Sequence, residues 1–313
     1  MKLRTEIELT KQESVINYDS HVVLFGSCFA ENIAQKLDFY KFPHLVNPFG
    51  ILFHPIAIEN ALDDIDQKKI YTENDLYFHN DLWQSFKHHS KFSSESKSEI
   101  LRHINTSIEN TNQFLKNTSH IIITLGTAWV YEFTEQQQLV ANCHKIAQKK
   151  FQKRLLSLDE IEQSLQNTLQ IIQRFNPTTQ VIFTVSPVRH LNNGIVENSQ
   201  SKALLLTAIH QVIHQKSTHY FPSFEIMMDD LRDYRFYKND LIHPNDLAVD
   251  YIWEQFKNSW IDEKSYPLMD EIETIQKALQ HRPFNENSSK HQTFLKNLQQ
   301  KMDELSTKHN IHF

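Results

Sequence analysis

Short apolar runs alternate along this chain with longer segments in which apolar residues recur every three or four positions. His21-Val22-Val23-Leu24-Phe25 has no polar position after its first residue and is rich in β-branched side chains, the pattern of a strand buried on both faces of a parallel sheet. Gly26-Ser27-Cys28 interrupts the run, and beyond it Phe29, Ile33 and Leu37 fall on one helical face. Residues 21–37 therefore predict a strand, a tight turn and a helix. The unit recurs: His120 to Leu125 predicts a strand ending at Gly126, and Gln180 to Val185 one ending at Ser186-Pro187. Phe224 to Met228 predicts a further, less regular strand. Helical patterning occupies about 55–64, 95–116, 155–175 and 198–216. Strands alternating with helices imply an α/β fold with a mostly parallel sheet covered on both faces. Ligands of such sheets bind beyond the carboxyl ends of the strands, which puts Gly26–Cys28, Gly126 and Ser186–Arg189 on one rim.

Past Asn245, residues 247–259 read as a helix carrying Tyr251, Ile252 and Phe256 inward, with Trp260 just beyond it. Residues 265–281 and 290–308 read as two polar helices with a thin apolar stripe, joined by a polar linker. The expected division is an α/β domain over 1–262 and a helical C-terminal extension over 263–313, packed on the core or on a partner. The segment 64–100 is loop-rich and carries Trp83, Phe86, His88, His89 and Phe92; it reads as a lid or part of a binding site, or as a loop packed over the core.

Composition narrows the function classes. The chain has 313 residues, 40% hydrophobic and 22% charged, with a formal net charge of -6, which argues against bulk attraction to nucleic acid or anionic lipid. No apolar run approaches the roughly 18 residues of a membrane helix, and the polar start lacks the apolar core of a signal peptide. A cytoplasmic location is expected. Two cysteines, Cys28 and Cys143, make no disulfide framework. There are only four glycines, so each is a candidate for a position that needs one.

Two segments carry chemistry. Cys28 would sit in the first turn of a helix, where free N–H groups and the helix dipole favour a thiolate and can hold an oxyanion. Ser27 is the alternative nucleophile. The plainer reading is a small buried cysteine with Ser27 as helix N-cap, and spacing alone favours it. In Asp240-Leu241-Ile242-His243, a carboxylate three residues before an imidazole can hold its Nδ1 and leave Nε2 as a general base, or can merely cap a turn beside a surface histidine. Arg189 and His190 lie past a strand end, where a cation could hold a substrate carboxylate or phosphate, or simply pair with a nearby acid. Arg232-Asp233-Tyr234-Arg235 reads as a structural ion-pair cluster. His88-His89-Ser90 and Asn142-Cys143-His144 hold ligand-type residues without a zinc spacing, so no metal is expected.

Leu24-Phe25-Gly26-Ser27-Cys28-Phe29-Ala30 resembles the motif that gives the GSCFA family its name. Asn47 to Pro55, Thr124 to Thr127, Asn142 to Lys145, Ser186 to His190, and Arg232 to Tyr237 leading into Asp240–His243 resemble further segments of that family, in order, over about residues 20–260. The resemblance implies a relative of the SGNH, or GDSL-like, hydrolases: a flavodoxin-like three-layer α/β sandwich with a C-terminal helical appendage. It places Cys28 where the wider group has its serine and Ser27 where it has aspartate. It implies Gly50 as an oxyanion N–H donor, and Asp240 and His243 as the final catalytic block. In the third block only Gly126 matches; Ala128 stands where an oxyanion asparagine is expected, and Asn142 is the nearby substitute.

The implied function is an esterase or O-acyltransferase acting on an acyl ester of a small molecule or glycan, with an acyl donor as second substrate in the transfer case. Cys28 or Ser27 would attack, His243 would take the proton and Asp240 would orient it. Arg189, His190, His54 and His89 would contact substrate, and no cofactor is required. Two competing readings are a catalytically inactive ligand-binding protein on the same fold and a metal-dependent hydrolase using the histidines.

Overall fold

The computed structural model describes residues 5–214, 217–281, 284–285, 288–309 and 311–313. The first unit forms as its pattern requires: β1 (Val22–Gly26) is buried along its whole length, and α1 (Cys28–Phe39) buries Phe29, Ile33 and Leu37 on one face. Next come β2 (His44–Val46), α2 (Pro55–Asp66), the hairpin strands β3 (Tyr77–His79) and β4 (Leu82–Gln84), α3 (Lys97–Leu115) and β5 (His120–Leu125). An inserted antiparallel sheet consists of β6 (Trp129–Phe133), β7 (Gln138–Val140) and β8 (Phe151–Leu155). Then follow α4 (Leu158–Phe175), β9 (Gln180–Val185), α5 (Ile195–Val212), β10 (Thr218–Tyr220), the single turn α6 (Ser223–Glu225), and α7 (Asp246–Trp260), α8 (Tyr266–Gln280) and α9 (Ser289–His309).

The central sheet is parallel throughout, in the order β10-β9-β5-β1-β2. Counting its five strands along the chain, this is the flavodoxin-like order 2-1-3-4-5, with the switch point between β1 and β5. Alternate strand residues feed two separate cores. Val23, Phe25, Ile121, Ile123, Leu125 and Phe183 pack with α2, α3, α4 and α5, whereas Val22, Leu24, Ile122 and Ile182 pack with α1 and α7. These three layers match the expected α/β sandwich.

One expected strand is corrected. Phe224 to Met228 is not extended: it spans the end of α6 and a wide turn over Ile226–Asp230, closed by the Leu231 N–H on the Ile226 carbonyl at 2.8 Å. Its backbone bonds run within the segment and not to a neighbouring strand. The fifth strand is β10, and the Ser223 hydroxyl, donating to the Val185 carbonyl, marks where extended structure stops. The stretch 64–100, read as loop, carries the β3–β4 hairpin, the last turn of α2 and the start of α3.

The tail packs on the second core. Met269 of α8 joins the α1/α7 cluster, Tyr40 on the α1 cap donates to Glu273 at 3.2 Å, and Leu268, Ile272 and Ile275 pack with Leu298 and Leu305 of α9. Residues 282, 283, 286 and 287 of the linker lie outside the described residues. Among the described residues no helix is long and apolar enough to cross a membrane.

Candidate active site

The turn after β1 explains both its glycine and its serine. Gly26 has φ +133, and a Cβ there would stand 2.1 Å from the Thr124 carbonyl oxygen of β5. Its N–H donates to Asn47 Oδ1 at 2.9 Å. Ser27 is fully buried; its N–H donates to the Thr124 carbonyl and its hydroxyl accepts the Phe29 N–H at 3.3 Å. That is an N-cap, and Ser27 is not among the residues lining the cavity described below. Cys28, the first helical residue, does line it. Burial pushes its thiol up, and Glu31 adds to this; the N–H groups of Cys28 and Phe29 and the charge of Lys202 act in the opposite direction.

The second half of the site is a four-residue turn. Leu241 takes φ +58, which brings Asp240 back onto the following backbone. Asp240 Oδ1 accepts the N–H groups of Ile242 at 2.9 Å and His243 at 3.0 Å, and Oδ2 lies 2.7 Å from His243 Nδ1. These bonds hold the carboxyl down to about 2. A proton on His243 Nδ1 can be donated to the Asp240 carboxylate, which leaves Nε2 for other partners. The Arg189 N–H donates to the Ile242 carbonyl at 3.2 Å and ties this turn to the segment after β9.

Cys28 and His243 open onto one cavity of about 520 Å³ at the switch point. Phe53, Leu191 and Ile242 line it, together with Trp129, Tyr131 and Val140 from the inserted sheet. Arg189 lies at this cavity with its guanidinium over the Tyr237 ring at 4.2 Å and the Tyr234 ring at 5.3 Å. His190 meets Phe53 edge-on; its Nε2 is buried without a hydrogen-bond partner among the described residues, and burial pushes its pKa down to about 3. Asn142 lines the cavity, accepting the His144 N–H on Oδ1 at 2.8 Å, and no acceptor pairs with its Nδ2 among the described residues.

Three expected residues take other places. Gly50 has φ +78 and its N–H is engaged by the Asn47 carbonyl at 2.7 Å, so it is no free oxyanion donor; a Cβ there would stand 2.2 Å from His89 Cβ. The glycine lets the 85–93 segment pack closely. His89 lies outside the cavity and caps the 3-10 turn Ser90–Phe92 through Nδ1. His54 touches the cavity, but Nδ1 accepts the Ala57 N–H at 3.2 Å as the α2 cap and Nε2 donates to the Val140 carbonyl at 3.2 Å. It joins α2 to the inserted sheet. Burial holds it neutral, at about 4. His88 stacks on Phe49, and among the described residues no three His, Cys, Asp or Glu side chains gather to hold a metal ion.

The reading from sequence missed Lys202. On α5 it is buried to 2% exposure and donates from Nζ to the carbonyls of Gly126 at 2.8 Å and Ser186 at 2.7 Å. A signal existed: Lys202 occupies the apolar stripe with Leu205 and Ile209, where a cation is out of pattern. It also missed Trp129 and Tyr131, whose strand is only half-buried and so shows weak periodicity.

A model of the GSCFA family matches residues 21–256, and one described as the GSCFA domain protein C-terminal domain matches residues 272–313. No curated protein matches the chain. Among solved structures, a mutant acetyl esterase with an acetate ion is 12% identical with TM-score 0.38, covering 81% of this chain and 99% of its own. A carbohydrate esterase family 3 protein from Talaromyces cellulolyticus is 12% identical with TM-score 0.36, covering 80% of this chain and 98% of its own.

Proposed function

The chain belongs to the GSCFA family, and we propose that its cavity performs acyl-ester chemistry, as an esterase or O-acyltransferase acting on an acyl ester of a small molecule or glycan. The observation that carries this reading is the convergence of Cys28 and an Asp240-oriented His243 on one cavity, with 2.7 Å between Asp240 Oδ2 and His243 Nδ1. His243 Nε2 takes the Cys28 proton, and the thiolate adds to the acyl carbon. The Cys28 N–H at the helix terminus and Asn142 Nδ2 serve the oxyanion in place of Gly50 and Ala128. Collapse expels the alkoxide, which takes the proton back from His243 and leaves a thioester on Cys28. Water or a second alcohol, deprotonated by His243, then releases the acyl group as acid or new ester. Arg189 and His190 contact the substrate beside the reacting centre.

Intact-mass spectrometry after exposure to activated acyl esters and acyl-CoA tests this reading. An acyl adduct that disappears in Cys28→Ala and persists in Ser27→Ala is the expected result. An adduct that survives in Cys28→Ala would sink it. A second reading, a non-catalytic ligand-binding protein, is favoured by Ala128 in the position of the oxyanion asparagine and by the engaged Gly50 N–H. It predicts a folded protein that holds ligand in the same cavity with no adduct and no turnover.

A further inference from the structure

Among the described residues that line the main cavity, Arg189 is the one lysine or arginine, and none is an aspartate or glutamate. The sequence leaves two roles open for this arginine, holding a substrate anion or pairing with a nearby acid, and the structure removes the second. Arg189 forms no ion pair among the described residues. Acids do stand close by: Asp229 and Asp233 line, together with Arg189, a second pocket of about 310 Å³. Each is taken by another arginine, Asp229 by Arg232 at 3.7 Å and Asp233 by Arg235 at 3.0 Å. Asp233 Oδ1 also accepts the Arg235 N–H at 2.8 Å, which holds that carboxylate on its own turn. The Arg232-Asp233-Tyr234-Arg235 cluster is thus paired within itself and with Asp229, and the charge of Arg189 is left without a counter-ion.

What holds the guanidinium is aromatic. It lies over the rings of Tyr237, which is buried, and Tyr234, which is exposed, at 4.2 Å and 5.3 Å. Burial raises the Tyr237 phenol and the adjacent guanidinium opposes this, so Tyr237 stays neutral and offers no counter-charge. A contact through the flat of a guanidinium leaves the N–H groups at its edge to bond in plane. A carboxylate or phosphate meets such an edge with two parallel charge-assisted bonds, which a neutral hydroxyl cannot match. The backbone of Arg189 is fixed as well: its N–H donates to the Ile242 carbonyl at 3.2 Å, one residue before His243. The cation therefore keeps a set place relative to the base, on the same cavity.

We propose that Arg189 selects an anionic substrate: its guanidinium, stacked on Tyr234 and Tyr237, binds a carboxylate or phosphate carried by the ester while Cys28 and His243 act on the acyl group. No bond forms or breaks at Arg189, which stays protonated throughout. The proposal rests on the acyl-ester reading for what the rest of the ligand is, and its test reads binding instead of turnover.

Benzoate, phenyl phosphate and benzyl alcohol share an aromatic ring, which suits a cavity lined by Trp129, Tyr131 and Leu191, and differ in charge. Each is titrated into the full chain near neutral pH and followed by calorimetry. The expected result is a Kd about tenfold or more lower for benzoate or phenyl phosphate than for benzyl alcohol, and the tighter of the two anions tells carboxylate from phosphate. In Arg189→Gln this preference is lost while benzyl alcohol binds as before. Arg189→Lys keeps part of it, since an ammonium attracts an anion without the paired bonds. Equal binding of the anions and the alcohol, no binding of either anion, or a preference that survives in Arg189→Gln overturns the proposal. Should Arg189→Gln not fold, Arg189→Lys decides: a fall in anion preference of about threefold or more supports the proposal, and an unchanged preference refutes it. An Arg189-dependent preference without any acyl adduct on Cys28 would refute the proposed reaction and leave this inference standing, and an adduct without the preference would do the reverse.

Discussion

Asp240 and His243 make their pair within one turn, so the carboxylate is oriented by local backbone more than by the rest of the fold. Its Oδ1 is occupied by two N–H groups, which leaves Oδ2 directed at the imidazole. Asp240→Asn is expected to lower ester turnover by about 10²–10⁴-fold, because a carboxamide no longer enforces the Nδ1–H tautomer. The melting temperature should barely change, since the side chain is 44% exposed. The pH dependence follows in sign. The folded-state pKa lies below its ordinary value of 3.8, so the pairing contributes above that value and is lost as pH falls through about 2. Carboxyl carbon NMR should therefore show Asp240 titrating near 2; titration at the ordinary value would mean the paired turn does not persist in solution. At this scale the sequence was legible for the place of Cys28 in the first helical turn and for the contact of Asp240 with His243, which depend on neighbours a few residues away. It was not legible for Gly50 and His89, because whether an N–H or a ring faces a cavity depends on what packs against it from elsewhere.

At the scale of elements, the β1–α1 junction is set by a close approach that no side chain permits. A Cβ at Gly26 would meet the Thr124 carbonyl of β5, and φ is +133. Gly26→Ala is expected to cost about 2–4 kcal/mol and to lower the melting temperature by roughly 5–15 °C. Calorimetry showing no change would mean that the junction relaxes at little cost. The helices were legible because their apolar faces are continuous: the patterns at 55–64, 95–116 and 155–175 correspond to α2, α3 and α4 within a few residues. Short, half-buried strands were not. β2 has three residues with no fully buried position, and β6 mixes its faces, so neither imposes a period of two on the sequence. Phe224 to Met228 shows the converse failure. Apolar residues at alternate positions look like a strand, yet the segment closes on itself in helical turns, with the Leu231 N–H on the Ile226 carbonyl.

Across the whole molecule, the site is where two distant pieces meet at the switch point of the sheet. The inserted antiparallel sheet then closes the cavity with Trp129, Tyr131 and Val140. The C-terminal helices sit on the opposite business of the fold, covering the α1/α7 core. Ile272 is fully buried there among Leu268, Ile275, Leu298 and Leu305. Ile272→Ala is expected to destabilise by about 2–4 kcal/mol while leaving Cys28 alkylation at its unsubstituted rate. A parallel loss of alkylation would show that the tail supports the site.

By itself the sequence determined the alternating α/β layers, the turn chemistry at Gly26–Cys28 and the pairing of Asp240 with His243. Each follows from residues close along the chain, through periodicity, capping or a single turn. Only the tertiary structure decided that Ser27 is a buried cap, that the Gly50 N–H is engaged, that the inserted sheet walls the cavity, and that Lys202 lies buried against two strand ends. Those outcomes depend on which segments meet across the sheet, and a buried cation or an engaged amide leaves no periodic trace along the chain.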